Sequence, residues 1–229
     1  MLPQAQAEER AVPEQLEEAE PGEEVFALES SATDEPYKEM VSALLKDDLK
    51  GGEEAYKRVQ EAEIDANKRL RNKAFYLYLR YGSGDTGAIE RLQSLAAQAN
   101  LPPELVPTVR NYIGMSYEQG DDFLRASEAY EAAAEVAQTE EGRASLVVSA
   151  ARCLFAAGNR DEAFSKVMAE IDRESTRKAL STLYAGLGSL YERAQNLELR
   201  AIALEKAIEY NRTTHSYDLV LHTPTMRTI

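Results

Sequence analysis

Paired carboxylates are the most frequent arrangement in this sequence that could do chemistry, because two neighbouring acids can divide the roles of general acid and general base. Two such pairs are Asp121-Asp122 and Glu140-Glu141. Each pair stands where the pattern predicts that a helix begins, and acids at that end complement the helix dipole. We therefore interpret both pairs as helix-start residues without a catalytic role.

A glycine motif and a single cysteine are the other candidates for a reactive site. Gly82-x-Gly84-x-x-Gly87 has the spacing of a phosphate-binding loop, but it follows a predicted helix, whereas such a loop follows a strand. Cys153 is the only cysteine, which excludes an intramolecular disulfide and a zinc site made of cysteines alone. Both histidines, His215 and His222, lie in the last fifteen residues, so none stands in the main body to activate the thiol. We predict no catalytic residues, no metal and no cofactor, and hence a protein that is not an enzyme.

The negative charge of the chain is concentrated at its N-terminus. The 229 residues carry a formal net charge of −14, and residues 1–34, with ten acids and one base, hold −9 of it. Phosphate backbones and anionic lipid repel such a chain, so we expect neither a nucleic-acid nor a membrane partner. Residues 1–34 contain too few apolar side chains to offset the entropy of ordering, and we predict a disordered acidic tail there.

The expected cellular location follows from the absence of a recognisable secretory signal and of a predicted transmembrane helix. Residues 1–9 have neither the basic start nor the apolar core of a secretory signal. No run of about 18 apolar residues predicts a transmembrane helix. Because the chain also has a single cysteine, we expect a cytoplasmic protein.

From Pro36 onward the chain is rich in Ala, Leu, Glu, Arg and Tyr, with short polar or glycine-containing breaks. Gly51-Gly52 are predicted to separate the first two helices, and Asn159-x-x-Glu162 has the form of a capping box. The alternation of period two that is typical of strands is confined to residues 217–221. The predicted helices are 36–49, 52–63, 66–81, 86–99, 103–119, 122–138, 141–157, 160–173, 176–194 and 197–211.

Two sets of positions repeat along the chain at a period of 37 or 38 residues. The first set lies in the middle of the first helix of each pair: Tyr76, Gly114, Ala151 and Gly188. The second set lies near the start of each second helix: Ala88, Ala126, Ala163 and Arg200. Small residues at these positions let neighbouring helices approach closely. Since one helix pair cannot bury its apolar face alone, the pattern predicts pairs that stack on one another.

The residues around these markers resemble the tetratricopeptide-repeat family. Tyr184-x2-Leu187-Gly188-x2-Tyr191 matches the first half of its pattern, and Ile113-Gly114-x2-Tyr117 followed by Ala126-x3-Tyr130 matches most of one repeat. The resemblance implies an all-α fold, an antiparallel helix-pair α-solenoid (a TPR-like superhelix). We expect about four repeats in residues 65–211, a degenerate helix pair in 35–64 and an irregular C-terminal tail in 212–229.

The resemblance also implies where a partner would bind. In that family the first helices line a concave groove that holds peptides. Carried over repeat by repeat, the groove positions include Lys73, Arg80, Asn111, Met115, Arg152, Ser189 and Arg193. We therefore expect a non-catalytic scaffold or adaptor that binds a protein or peptide partner. The alternative is a regulatory or ligand-sensing module of an enzyme system, in which a small molecule occupies the groove.

The two ends of the chain raise separate hypotheses. Ile202, Leu204 and Ile208 are expected to be partly bare, so the C-terminal repeat either self-associates or is covered by residues 217–221, unless the chain is a shortened form of a longer protein. A second hypothesis is that residues 14–29 of the acidic tail occupy the groove when no partner is present, and the alternative is a solvated tail that contacts nothing. Lys73, Arg80, Arg152 and Arg193 would supply the opposite charge there.

Overall fold

The computed structural model describes residues 34–174 and 176–212, and this part of the chain is all-helical. The predictions of a disordered tail in 1–34, of tail docking by 14–29 and of an alternating segment at 217–221 fall almost entirely outside it. Ten α-helices and one 3-10 turn at Pro103–Leu105 make up the described part. The helices are α1 (Asp34–Leu44), α2 (Leu49–Ala62), α3 (Ala66–Gly82), α4 (Ala88–Ala96), α5 (Val106–Gln119), α6 (Phe123–Glu135), α7 (Glu140–Ala156), α8 (Arg160–Arg173), α9 (Arg177–Arg193) and α10 (Leu197–Asn211).

The predicted break at Gly51-Gly52 is wrong, because both glycines lie inside α2. The chain turns at residues 45–48, and Asp48 caps the new helix: its side chain accepts a hydrogen bond from the Gly51 amide at 2.9 Å. Gly52 is buried against Leu44, where a Cβ would lie 2.5 Å from a Leu44 methyl. Glycine therefore serves here to let α1 and α2 approach each other, and it does not end a helix.

Helix starts are stabilised by side-chain caps at several of the predicted breaks. Asp65 accepts hydrogen bonds from two amides of α3, Asp122 caps α6 and Thr139 caps α7. Asn159 stands at the start of α8, as predicted, but its side chain makes no capping hydrogen bond. The expected capping box is thus wrong in its chemistry, although the helix begins where it was expected.

The helices stack as antiparallel pairs, which confirms the predicted α-solenoid architecture. The positions of the small residues match the close contacts: a Cβ on Gly114 would lie 2.8 Å from the Tyr130 ring, and one on Gly188 would lie 3.0 Å from a Leu204 methyl. Both contacts join the first helix of a pair to the second across an interval of sixteen residues. Second helices also pack on the first helix of the next pair, as α4 does on α5, α6 on α7 and α8 on α9.

First helices also contact one another in two parts of the stack, α1 with α3 and α3 with α5 in one part and α7 with α9 in the other. Aromatic rings link α1, α3 and α5: Tyr37 stacks on Phe75, and Tyr78 stacks on Tyr112 with the ring centroids 5.4 Å apart. Further along, α7 packs on α9, where Val148 lies against Gly186. No helix in the described ranges is long and apolar enough to cross a membrane.

Candidate interaction surface

The seven groove residues predicted from the sequence lie on the first helices of the four pairs. They are Lys73 and Arg80 on α3, Asn111 and Met115 on α5, Arg152 on α7, and Ser189 and Arg193 on α9. Their surroundings differ, and these surroundings decide which of them a partner could reach.

Arg80 is engaged within the protein. Its Nη1 donates to the Tyr76 hydroxyl at 2.8 Å, and its guanidinium carbon lies 5.6 Å from the centre of that ring. Its Nε lies 2.8 Å from an Asp85 carboxylate oxygen, and Glu53 of α2 approaches to 3.5 Å. Only 18% of the side chain is exposed. Arg80 thus ties α2, α3 and the following loop together, and a ligand would have to compete with these contacts.

Arg152 is also paired, at the place where three helices meet. It donates to Glu118 of α5 at 2.9 Å, and the other Glu118 oxygen accepts from the Tyr130 hydroxyl of α6 at 2.7 Å. The hydrogen bond to Glu118 adds to burial in raising the pKa of Tyr130. Cys153 lies beside this cluster, where burial raises the pKa of its thiol to about 12. The cluster joins α5 to α7 through charges, and it leaves Cys153 protonated and inert.

Of the other five predicted residues, two are exposed and three, including the core-packed Met115, are half-buried. Lys73 and Arg193 are exposed, and neither forms an ion pair with any residue of the described ranges. Asn111 donates to the Met115 sulfur within α5 at 3.7 Å, and Ser189 is half-buried. Together these residues form a mixed polar surface.

An open cleft between α4 and α6 was not predicted from the sequence. It has a volume of about 430 Å³, and most of its lining surface is apolar. Short side chains cover its walls and floor, which are formed by Ala96, Ala97, Ile113, Ala129 and Ala132. Because alanines on α4 and α6 are too small to fill the space between these helices, α5 is exposed as the floor of a groove.

Polar side chains hold the rim of this cleft in place. Gln93 donates to the Tyr117 hydroxyl at 2.8 Å, and the Arg125 guanidinium carbon lies 5.6 Å from the centre of the Tyr117 ring. Arg110 donates to the Ala132 carbonyl near the end of α6 at 2.7 Å. The rim therefore connects all three helices, and both of its arginines keep further N–H groups that can donate to a ligand.

A second cleft, between α6 and α8 over α7, repeats this geometry with different chemistry. Its volume is about 350 Å³, and charged side chains line about half of it. Arg143 forms ion pairs there with Glu170, at 2.5 Å, and with Glu174, whose side chain is fully buried. Arg143 and, through Glu131, Lys166 are paired within the protein, so this cleft is better suited to holding α7, α8 and the start of α9 together than to binding a partner.

The sequence did carry a signal for the first cleft. Arg110 stands where the repeat pattern has an aromatic residue, and Ala132-Ala133-Ala134 is a run of small residues on a second helix. An aromatic ring lost from the first helix and small residues gained on the second both leave space between the helices. The resemblance implied binding residues on the first helices alone, so it did not indicate this cleft.

Comparison with known proteins adds a fold relationship. No protein-family model matches the chain, and no curated protein matches it. The crystal structure of BtubC (BKLC) from P. vanneervenii is similar, with a TM-score of 0.52 over 87% of this chain and 97% of that chain, at 15% identity. At this identity the likeness supports the α-solenoid architecture alone.

Within residues 34–174 and 176–212, no three His, Cys, Asp or Glu side chains are placed to hold a metal ion.

Proposed function

We propose that this chain is a non-catalytic interaction module, a scaffold or adaptor, which binds an apolar segment of a partner protein in the cleft between α4 and α6. The observation that carries the proposal is the cleft itself, an apolar groove with a polar rim on the surface of a stacked-helix scaffold. Grooves of this kind between helices bind amphipathic helices through a few apolar side chains.

The shape of the cleft favours a peptide over a small molecule. A volume of about 430 Å³ falls within the range of small-molecule sites. Such sites, however, bury most of their ligand, whereas this groove is open along its length. A peptide needs only to insert two or three side chains and can leave its polar face in solvent. The arginines at the rim would donate hydrogen bonds to its backbone carbonyls or acidic side chains.

A phage-displayed library of random peptides, panned against the full chain, tests this proposal. We expect enriched peptides with apolar residues three or four positions apart, the spacing of one helix face. Ala97→Arg should weaken their binding about tenfold or more, equivalent to about 1.4 kcal/mol, because the new side chain lies across an exposed edge of the cleft. Gln98→Arg is the matched control, since it adds the same charge at the next exposed residue, outside the cleft.

Two results would overturn the proposal. One is a library that yields no peptide with measurable affinity for the full chain. The other is a set of peptides that bind equally well to the Ala97→Arg and control variants but lose affinity with Lys73→Glu or Arg193→Glu. That second pattern would place the binding surface on the first helices and not in the cleft.

A further inference from the structure

We propose that copies of this chain associate head to tail, with the outer face of α10 in one copy packing on the outer face of α1 in the next. The proposal concerns two surfaces of the described part that lie at opposite ends of the helix order. It stands independently of the cleft between α4 and α6, because neither surface contributes to that cleft.

The outer face of α1, here called the head face, is apolar with basic edges. Its apolar stripe consists of Tyr37 and Val41, which are half-buried against the core, and of Leu45, which directly follows α1 and is 72% exposed. Lys38 and Lys46 flank the stripe, and the whole forms an open cleft of about 410 Å³ with a mainly apolar lining. An apolar stripe this exposed is typical of a surface that another protein covers.

The outer face of α10, here called the tail face, is apolar with acidic residues. Ile202 is 47% exposed and Ile208 is 57% exposed, as the sequence led us to expect for this helix. Leu204 is half-buried and packs over Gly188. Glu205, Glu209 and Arg212 line a shallow pocket beside Ile208. This pocket holds two acids and one base, whereas Lys38 and Lys46 of the head face are both basic, so the two faces differ in charge.

The internal packing of the molecule indicates how the two faces would meet. In the described repeats, the second helix of one pair packs antiparallel on the first helix of the next pair, as α8 does on α9. α10 is a second helix with no following helix, and α1 is a first helix with no preceding one, among the described residues. An α10 that packs on α1 of a second copy would continue the existing stack by the same rule.

An antiparallel register brings the complementary residues together. Leu45 directly follows α1, and its amide still donates to the Val41 carbonyl at 2.9 Å, so it keeps the helical spacing. When Leu45 faces Ile202, Lys38 of the head face lies opposite Glu209 of the tail face, because the two residues of each face are seven positions, about two helical turns, apart. Each exposed ion pair contributes little by itself, so the apolar contact supplies most of the affinity and the charges set the register. Since the two faces differ, the contact leaves one of each free and permits growth to longer assemblies or rings.

Sedimentation velocity of the full chain over an about hundredfold concentration range tests this proposal. We expect species larger than a dimer at the highest concentrations. Leu45→Asp blocks the head face and Ile202→Asp blocks the tail face, and both positions are exposed, so folding should be unaffected. Each variant alone should remain a monomer. Their equimolar mixture should form dimers and nothing larger, because one intact head face and one intact tail face remain.

A second experiment exchanges the charges of Lys38 and Glu209 across the same contact. Lys38→Glu and Glu209→Lys should each weaken assembly, and the variant carrying both should recover it, because the opposite charges again face each other between copies. A wild-type chain that stays monomeric throughout would overturn the proposal, as would assembly that Ile202→Asp abolishes but Leu45→Asp leaves intact. The first result would be expected if residues 213–229 covered α10, and the second if α10 paired with itself.

Discussion

A methyl group at position 186 would collide with a neighbouring helix, and this provides a quantitative test of how the first helices stack. A Cβ built on Gly186 of α9 would lie 2.4 Å from one methyl of Val148 on α7 and 2.7 Å from the other. Val148 is β-branched and has one strongly preferred rotamer in a helix, so it cannot turn away. The helices would have to separate locally to admit the new methyl group.

The expected size follows from two opposing effects. Overpacking of a close helix contact costs about 1–3 kcal/mol. Replacing glycine by alanine inside a helix contributes about 1 kcal/mol of stability. Gly186→Ala should therefore lower the free energy of unfolding by about 1 kcal/mol, and Val148→Ala alone by a similar amount through lost burial of about 1 kcal/mol. In the double variant the collision is absent and the glycine has been replaced, so its stability should be close to that of the wild type.

Urea denaturation of the four proteins, followed by far-UV circular dichroism, measures this cycle. The account predicts a coupling energy of about 2 kcal/mol between the two sites. Gly82→Ala is the control, since its Cβ would meet only the flexible end of Gln119 and should change stability by less than about 0.5 kcal/mol. Additive effects of Gly186→Ala and Val148→Ala, or a Gly186→Ala variant more stable than the wild type, would refute the packing argument.

Two further predictions concern buried ionisable groups. Arg143→Met should lower the free energy of unfolding by about 3 kcal/mol near neutral pH, because it leaves buried Glu174 without its cation. Burial raises the pKa of Glu174, so as the pH falls this carboxylate is protonated in the folded protein at a higher pH than in the unfolded chain. Urea titrations should therefore show that the difference in unfolding free energy between the wild type and the variant becomes smaller as the pH falls. A difference that stays constant with pH would contradict this. With its thiol pKa raised to about 12, Cys153 should be alkylated by iodoacetamide far more slowly in the native protein than in denaturant, and similar rates would contradict the assigned burial.

The architecture could be predicted because it depends on local spacing. The interval of sixteen residues from Gly114 to Tyr130 is the same as that from Gly188 to Leu204, and both pairs are in contact. The misplaced helix break has a local cause as well. The glycine pair predicted a helix break. The signal for the helix start was Asp48, because its side chain can accept a hydrogen bond from the amide of residue 51.

The surface could be predicted less well because it depends on partners from distant parts of the sequence. Position within the repeat placed Arg80 and Arg152 on the first helices, but their charges are engaged by Glu53 and Asp85 and by Glu118 respectively. Repeat spacing gives no information on which acids will lie within reach of an arginine. The cleft between α4 and α6 likewise depends on two different repeats, because it is the space that small side chains on these two helices leave unfilled.

Hydrogen–deuterium exchange of the full chain, with and without the best peptide from the library, tests the proposed binding site most directly. The account predicts slower exchange in the segments that line the cleft, residues 93–97 and 125–132, with little change around Lys73 and Arg193. Protection confined to the first helices around Lys73 and Arg193, with unchanged exchange at 93–97 and 125–132, would contradict the account.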